Sequence, residues 1–447
     1  MSRVMLLVPG ETYRASDFMA AVSQLRDELK VELVVGSNVE GALESLLPGH
    51  FLQLDFDDPQ RAARQIAAFV DAEPGRDLDR VLAVDDGGTL IAAHATERLG
   101  IDGNAVTAIA ATRDKSVLRT RLAAAGILSP RWWMLKEHEK PAMIAAHLDY
   151  PCVVKPLSLS GSRGVIRADN PDTFIAAADR TRHLLHRPEV ARECGPAGAD
   201  LLVEDYIPGR EVAIEGLIEP GADGSPRLRV LAIFDKPDPL EGPYFEETIY
   251  VTPSRLAATE QRNAVKTAER AALALGLHQG PLHAELRLNE KGAWLIDLAA
   301  RSIGGLCART LRFGRDESPN SGTPTEIGTH ISLEQLLLRD AIGGVAATTG
   351  YAREHLASGV MMIPIPTAGI LRSVSGIATA QAIPGIDGVS ITVAPGRRLV
   401  PLPEGGEYLG FIFARRETPA AVEATLRTAH STLHFDIETE SPGSEEC

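Results

Sequence analysis

HAELRLNEKGAWLIDLAAR, residues 283–301, is the stretch on which the reading of this chain turns. Two alternating apolar/polar runs flank a turn at Asn289–Gly292, which is the pattern of a β-hairpin. Glu285 stands on the first run, Asp297 on the second, and Arg301 just beyond. Facing residues in a hairpin lie about 5 Å apart at the backbone, so the two carboxylates oppose each other. Two ionised carboxylates that close repel unless a cation sits between them. Oxygen-only ligands beside an arginine suit Mg²⁺ carrying nucleotide phosphates. A nucleotide-dependent enzyme follows if phosphate-binding pieces lie upstream.

YPCVVKP places Lys155 at the end of a short apolar strand. SLSGSRGV follows, Ser158 to Val165, with Ser160, Gly161, Ser162 and Gly164. Such a loop can wrap phosphate oxygens with its backbone N–H groups. It has no Gly-Lys-Ser/Thr ending, so it is not a Walker A loop, and a plain hairpin turn is the competing reading. A strand lysine directly before it favours phosphate, because a buried ammonium needs a partner. Next, LLVEDYIPGREVAIEGLI carries Glu204 at the end of one strand and Glu211 at the start of another. Between them, Asp205, Tyr206 and Ile207 offer backbone groups and an apolar surface for adenine, with Glu211 accepting from ribose hydroxyls. The alternative is an ordinary hairpin with a charged rim.

The order Lys115, Lys155 with its glycine loop, Glu204, Glu211, Glu285, Asp297 and Arg301 resembles the ATP-grasp superfamily over roughly residues 105–335. The resemblance implies ATP clamped between two α+β lobes and a carboxylate activated as an acyl phosphate. It implies that Lys115, in TRDKSVLRTRLAAAGI, and Lys155 meet the phosphates, and that Glu204 is the hinge carboxylate. It places Glu211 at the ribose, Glu285 and Asp297 at Mg²⁺ (or Mn²⁺), and Arg301 at the reacting centre. Many members have Glu at the position of Asp297 and Asn at that of Ala299, so one metal ligand that the resemblance implies is absent here. Ala299-Ala300-Arg301 followed by SIGGLC is similar to the branch of L-amino acid ligases, dapdiamide-type synthetases and the carnosine synthase ligase domain.

A chain of 447 residues needs three or four compact units. The expected division is an N-terminal Rossmann-like α/β domain (1–110), a small lobe with the glycine loop (111–200), a large lobe (201–342) and an accessory α+β domain (343–447). The net charge of −15 argues against nucleic acid as a partner. Cys152, Cys194, Cys307 and Cys447 have neither zinc nor disulfide-framework spacing, so a reducing cytoplasm is expected. Cys307 is read as structural or as lining the substrate pocket. The apolar core in MSRVMLLVPGETY is too short for a signal peptide, and no apolar run suits a membrane span, so neither is expected. A homodimer is compatible with the sequence, but no residue specifies it.

Strands are expected at 3–8, 31–36 and 51–56, and helices at 16–30 and 58–72, alternating as in a parallel sheet covered on both faces. GxGxxG is absent, so a dinucleotide fingerprint is unsupported. Asp85–Gly88 sits at a strand end, either as a substrate edge or as a helix-starting turn. One helix is expected over 110–126, and others over 171–187, 254–276 and 333–342. The long segment 234–254 offers Lys236, Glu246 and Glu247 as substrate contacts, or simply covers the core. His283 shares a strand face with Glu285 and meets substrate or serves the structure. Gly304 and Gly305 are further substrate candidates. Residues 313–332 read as a polar loop, folded over the site or loose on the surface. Strands and a closing helix capped by Thr418 follow, before a frayed tail.

The function expected is ATP-dependent joining of a small-molecule carboxylate to an amine, each an amino acid or similar acid, with release of ADP and phosphate. Arg301 would meet the oxyanion formed on amine attack. The competing readings are a biotin carboxylase-like or purine-pathway enzyme, and an ATP-binding sensor without catalysis.

Overall fold

The computed structural model describes residues 2–10, 12–39, 50–194, 198–315 and 330–439. Most of the expected 313–332 loop and the end of the tail therefore lie outside the described residues.

The chain begins with a parallel four-stranded sheet in the order Phe51–Gln53, Val31–Ser37, Ser2–Leu7 and Arg80–Ala83. VMLL and LVV are buried because helices cover the sheet, Ala15–Leu29 and Pro59–Asp71 among them. The second of these starts where expected: the Asp58 side chain accepts from Arg61 N–H, and Pro59 stands in its first turn.

The expected single helix over 110–126 is two helices, Val106–Arg113 and Lys115–Ala124. Asp114 breaks it. Its backbone is extended and its carboxylate caps the second helix through Ser116 and Val117 N–H. An aspartate that can satisfy two free helix donors competes well with continuing the first helix. The break puts Lys115 in the first turn of a helix, beside the glycine loop.

The small lobe is an antiparallel sheet in the order Trp132–Leu135, Leu201–Asp205, Cys152–Pro156 and Ile166–Ala168. The helix Pro171–Leu185 packs Phe174, Ala177 and Ala178 onto it. Strands Leu201–Asp205 and Arg210–Pro220 lie in different sheets, so 206–209 is no hairpin turn but the connection between two lobes.

The large lobe is an eight-stranded sheet. Its order is Gly292–Ala299, Gly280–Asn289, Arg210–Pro220, Pro226–Asp235, Ile249–Thr252, Ala357–Ile363, Gly410–Arg416 and Ile386–Ile391. Every pairing in it is antiparallel. Three of these strands come from beyond residue 343, so the C-terminal part shares one sheet with the large lobe. The helix Ala258–Leu275 lays Ala264, Ala268, Ala271 and Leu275 against the sheet and ends at Gly276, where a φ of 84° suits glycine. It starts later than expected because Ser254 and Arg255 bond the Asp235 carboxylate instead of entering the helix. The helix expected over 333–342 runs Leu333–Thr348, with a non-helical Gly344. The closing helix Pro419–Ser431 is capped by Thr418, which accepts from Ala421 N–H.

Candidate active site

The lobes and the N-terminal sheet meet around a cavity of about 520 Å³. It is lined by Lys115, Lys155, Ser160, Gly161 and Ser162, by Glu204, Tyr206, Ile207 and Glu211, and by His283, Glu285, Asp297, Arg301, Gly304 and Gly305. Of the expected site residues, Gly164, Lys236 and Glu246 are not on this lining.

The hairpin is not a regular one. Asn289 faces Gly292 and Leu286 faces Leu295, but Glu285 then faces Asp297, with Ile296 as an extra residue. Regular alternation would send Asp297 to the same side as Ala293 and Leu295, which are in the core. The bulge turns Asp297 into the cavity and returns Leu298 to the core, where it is 1% exposed. The sequence carried this signal: the apolar positions 293, 295 and 298 slip by one after Leu295.

Glu204, read as a hinge carboxylate, is buried and fully engaged. It lies 2.5 Å from Lys155 Nζ and 2.7 Å from Arg119 Nε. Burial raises its pKa, but Arg119 and Lys155 outweigh that and hold it ionised. Its carboxylate thus holds Lys155 and Arg119 together at the cavity wall. On Lys155 burial dominates and lowers the pKa, against the pull of Glu204. Lys115 Nζ donates to Leu159 O at 2.9 Å, tying its helix to the glycine loop.

Within the loop Ser162 takes a φ of 56°, an uncommon conformation for a residue with a side chain. Gly164 faces away from the cavity: its N–H donates to Pro403 O, and a Cβ there would stand 2.8 Å from Pro156. At the hinge, Tyr206 N–H is engaged by Pro151 O, and Ile207 O accepts from Arg287. Arg287 was not foreseen, although it lies two residues past Glu285 on the same strand face. It also bonds Glu211 at 2.7 Å and stacks on Tyr206 and Phe245.

Lys236 stands behind the cavity wall among three carboxylates: Glu211 at 2.8 Å, Glu285 at 3.6 Å, and Glu247 in direct contact. One oxygen from each of Glu211, Glu247 and Glu285 lies within 4.8 Å of the others, a grouping able to hold a metal ion. Burial pushes Glu285 up, but Lys236 and His283 outweigh it and keep its carboxyl well below the usual range. Glu246 is displaced by its neighbour. In this extended segment Phe245 and Glu247 both line the cavity, and the residue between them points elsewhere. His283 lies between Glu215, 3.2 Å from Nδ1, and Glu285, 3.5 Å from Nε2. Cys307 also lines the cavity; burial pushes its thiol up to about 12, so it is not a nucleophile near neutrality.

The Asp85–Gly88 turn starts a helix, as one of its two readings had it, and Asp85, Asp86 and Gly87 border the cavity. Asp85 caps the helix Asp86–Leu99 through Gly87 N–H, while Asp86 receives Arg301 Nε at 2.8 Å and lies 3.4 Å from Arg113. Burial raises Asp86, but Arg301 and Arg113 pull it down from 3.8 to about 2. A depressed carboxyl contributes stability that is complete above its unfolded value and lost as pH falls through the folded one. The stability difference between wild type and Asp86→Asn is therefore expected to be constant from pH 9 to pH 5. It should shrink only below about pH 4, as urea unfolding at several pH values will read.

Two lobes closing on lysines, a glycine loop and opposed carboxylates define an ATP-grasp fold, and residues 148–310 match the ATP-grasp domain family. Residues 361–438 match L-amino acid ligase C-terminal domain 2, so the chain carries the two domains in succession. It is 30% identical to the alanine–anticapsin ligase of Bacillus subtilis over 225 residues, 47% of this chain and 46% of that protein. It is 28% identical to the D-alanine–D-alanine ligase of Gloeobacter violaceus over 294 residues, 64% of this chain and 88% of the other. The crystal structure of an L-amino acid ligase from Bacillus licheniformis superposes with a TM-score of 0.78 at 24% identity, covering 98% of this chain and 99% of that one. The chain spans about half the length of the alanine–anticapsin ligases it matches. Among the described residues no helix is long and apolar enough to cross a membrane.

Proposed function

We propose that the protein is an ATP-dependent carboxylate–amine ligase that joins two small molecules, at least one of them an amino acid, through an acyl phosphate. The observation that carries this reading is the bulged hairpin, which opposes Glu285 and Asp297 with Arg301 close by, across one cavity from Lys115 and Lys155. The match to an L-amino acid ligase C-terminal domain supports amino acids as substrates.

A carboxylate is a poor electrophile, and phosphorylation from ATP gives it a leaving group. That transfer needs position and charge neutralisation more than covalent chemistry from the protein. Lys115, Lys155 and the loop amides would take the phosphate oxygens, and Glu211 the ribose. Glu285 and Asp297, at facing strand positions, would offer hard oxygens to Mg²⁺ or Mn²⁺, which would neutralise phosphate charge when bound. Arg301, held by Asp86 and the Ser302 carbonyl, is aimed by its two anchors and meets the oxyanion formed when the amine attacks. The enclosing lobes keep the acyl phosphate from water.

Phosphate release with ATP, Mg²⁺ and pairs of amino acids or small dicarboxylates, with mass spectrometry of products, tests this. Amine-dependent ADP formation with a condensed product is expected. Tight ATP binding without turnover across the panel would overturn it in favour of a nucleotide sensor.

A further inference from the structure

The helix Lys115–Ala124 carries two cations on one face, a turn apart. Lys115 reaches the glycine loop. Arg119, with a side chain 0% exposed, does something else. Its Nε donates to Glu204 at 2.7 Å and its Nη2 donates to the carbonyl of Ile296 at 2.5 Å. Glu204 is the residue that holds Lys155. Ile296 is the extra residue of the bulge that turns Asp297 into the cavity. One planar fork thus joins the two walls of the site, and does so at the backbone irregularity on which the metal-ligand geometry depends.

A fully buried guanidinium is a poor device for stability alone. Its Nη1 has no partner among the described residues, and an apolar side chain of similar volume would avoid that penalty. Its distinctive contribution is geometric. A bulge leaves one residue outside the ladder pairing, and its carbonyl can settle in more than one direction. Pinning the Ile296 carbonyl removes that freedom. A slip of the bulge by one residue would return Asp297 to the core face; burial of Leu298 opposes such a slip, and the Arg119–Ile296 bond adds a polar anchor at the same point.

We propose that Arg119 is a positioning residue: through Ile296 it fixes the bulge that aims Asp297 at the metal, and through Glu204 it fixes Lys155 on the facing wall. This rests on the reading of Glu285 and Asp297 as metal ligands.

The test is Mn²⁺ affinity of the full chain by electron paramagnetic resonance, with a non-hydrolysable ATP analogue present, beside thermal unfolding of the same samples. Arg119→Lys keeps a charge able to pair with Glu204 but has no second arm for Ile296; Arg119→Met keeps neither contact. Arg119→Lys is expected to unfold within a few degrees of wild type and to bind Mn²⁺ about 10–100-fold more weakly, the scale seen when groups that orient metal ligands are removed. Arg119→Met, where it folds, is expected to weaken Mn²⁺ at least as much. Wild-type Mn²⁺ affinity in Arg119→Lys, with or without a lower unfolding temperature, would overturn the proposal and leave Arg119 a stabilising residue only. Asp297→Asn is the control: if it binds Mn²⁺ as wild type does, the metal-ligand reading fails and the proposal falls with it.

Discussion

Arg301→Met is expected to lower amine-dependent ADP release by about 10²–10³-fold while leaving the affinity for ATP nearly unchanged. The guanidinium is anchored at Nε by Asp86 and at Nη1 by the Ser302 carbonyl. An arginine so fixed does not have to reorganise when negative charge develops next to it. A preorganised donor of that sort is worth about 3–4 kcal/mol in the transition state, which is the factor given. Methionine keeps much of the volume and removes the charge. The expected signature is a fall in kcat with little change in KM for ATP, because the interaction belongs to the transition state. An equal rise in KM for ATP with an unchanged kcat would place Arg301 at the nucleotide instead.

Glu285→Gln is the second change of large expected effect. Lys236 and His283 hold this carboxyl well below the usual carboxylate range, so it is ionised at any working pH. The amide has nearly the same shape but no charge and one fewer good ligand oxygen. Loss of a Lewis-acid interaction of several kcal/mol is expected to lower turnover at fixed Mg²⁺ by at least about 10²-fold. The Mg²⁺ concentration for half-maximal rate should rise, and titrating Mg²⁺ in the steady-state assay reads both effects. A variant with unchanged Mg²⁺ dependence would move the metal to other ligands, and Glu211 and Glu247 are the groups to examine next.

Much of this site was legible in the sequence because its parts are local. The hairpin 280–299 declares itself by alternation and a turn, and the glycine loop by composition directly after a strand lysine. The parallel sheet at the start follows from apolar runs spaced by helical patterns. What was not legible depends on partners far apart in the chain. Arg119 meets Glu204 85 residues away, and Arg301 meets Asp86 215 residues away. No periodicity connects such pairs. The resemblance implied Glu204 as the hinge carboxylate; only the packed structure reveals that its carboxylate, on the cavity lining, also pairs with two buried cations. The helix break at Asp114 was missed for a different reason. The apolar pattern continues through it, and a cap can end a helix without disturbing that pattern. The choice of Glu247 over Glu246 was open because an irregular extended segment has no preceding strand to set its phase.

The sheet that crosses residue 343 has a consequence for how this protein can be shortened. A fragment stopping before Ala357–Ile363 would strip Ile249–Thr252 of a neighbour along its whole length, since the two strands pair at four successive residues. The newly bared rim, four buried residues long, would invite copies of the fragment to stack on one another. The final hundred residues are thus no detachable appendage. They complete the sheet that also carries the 280–299 hairpin, and a fragment lacking them is expected to unfold at a lower temperature and to aggregate.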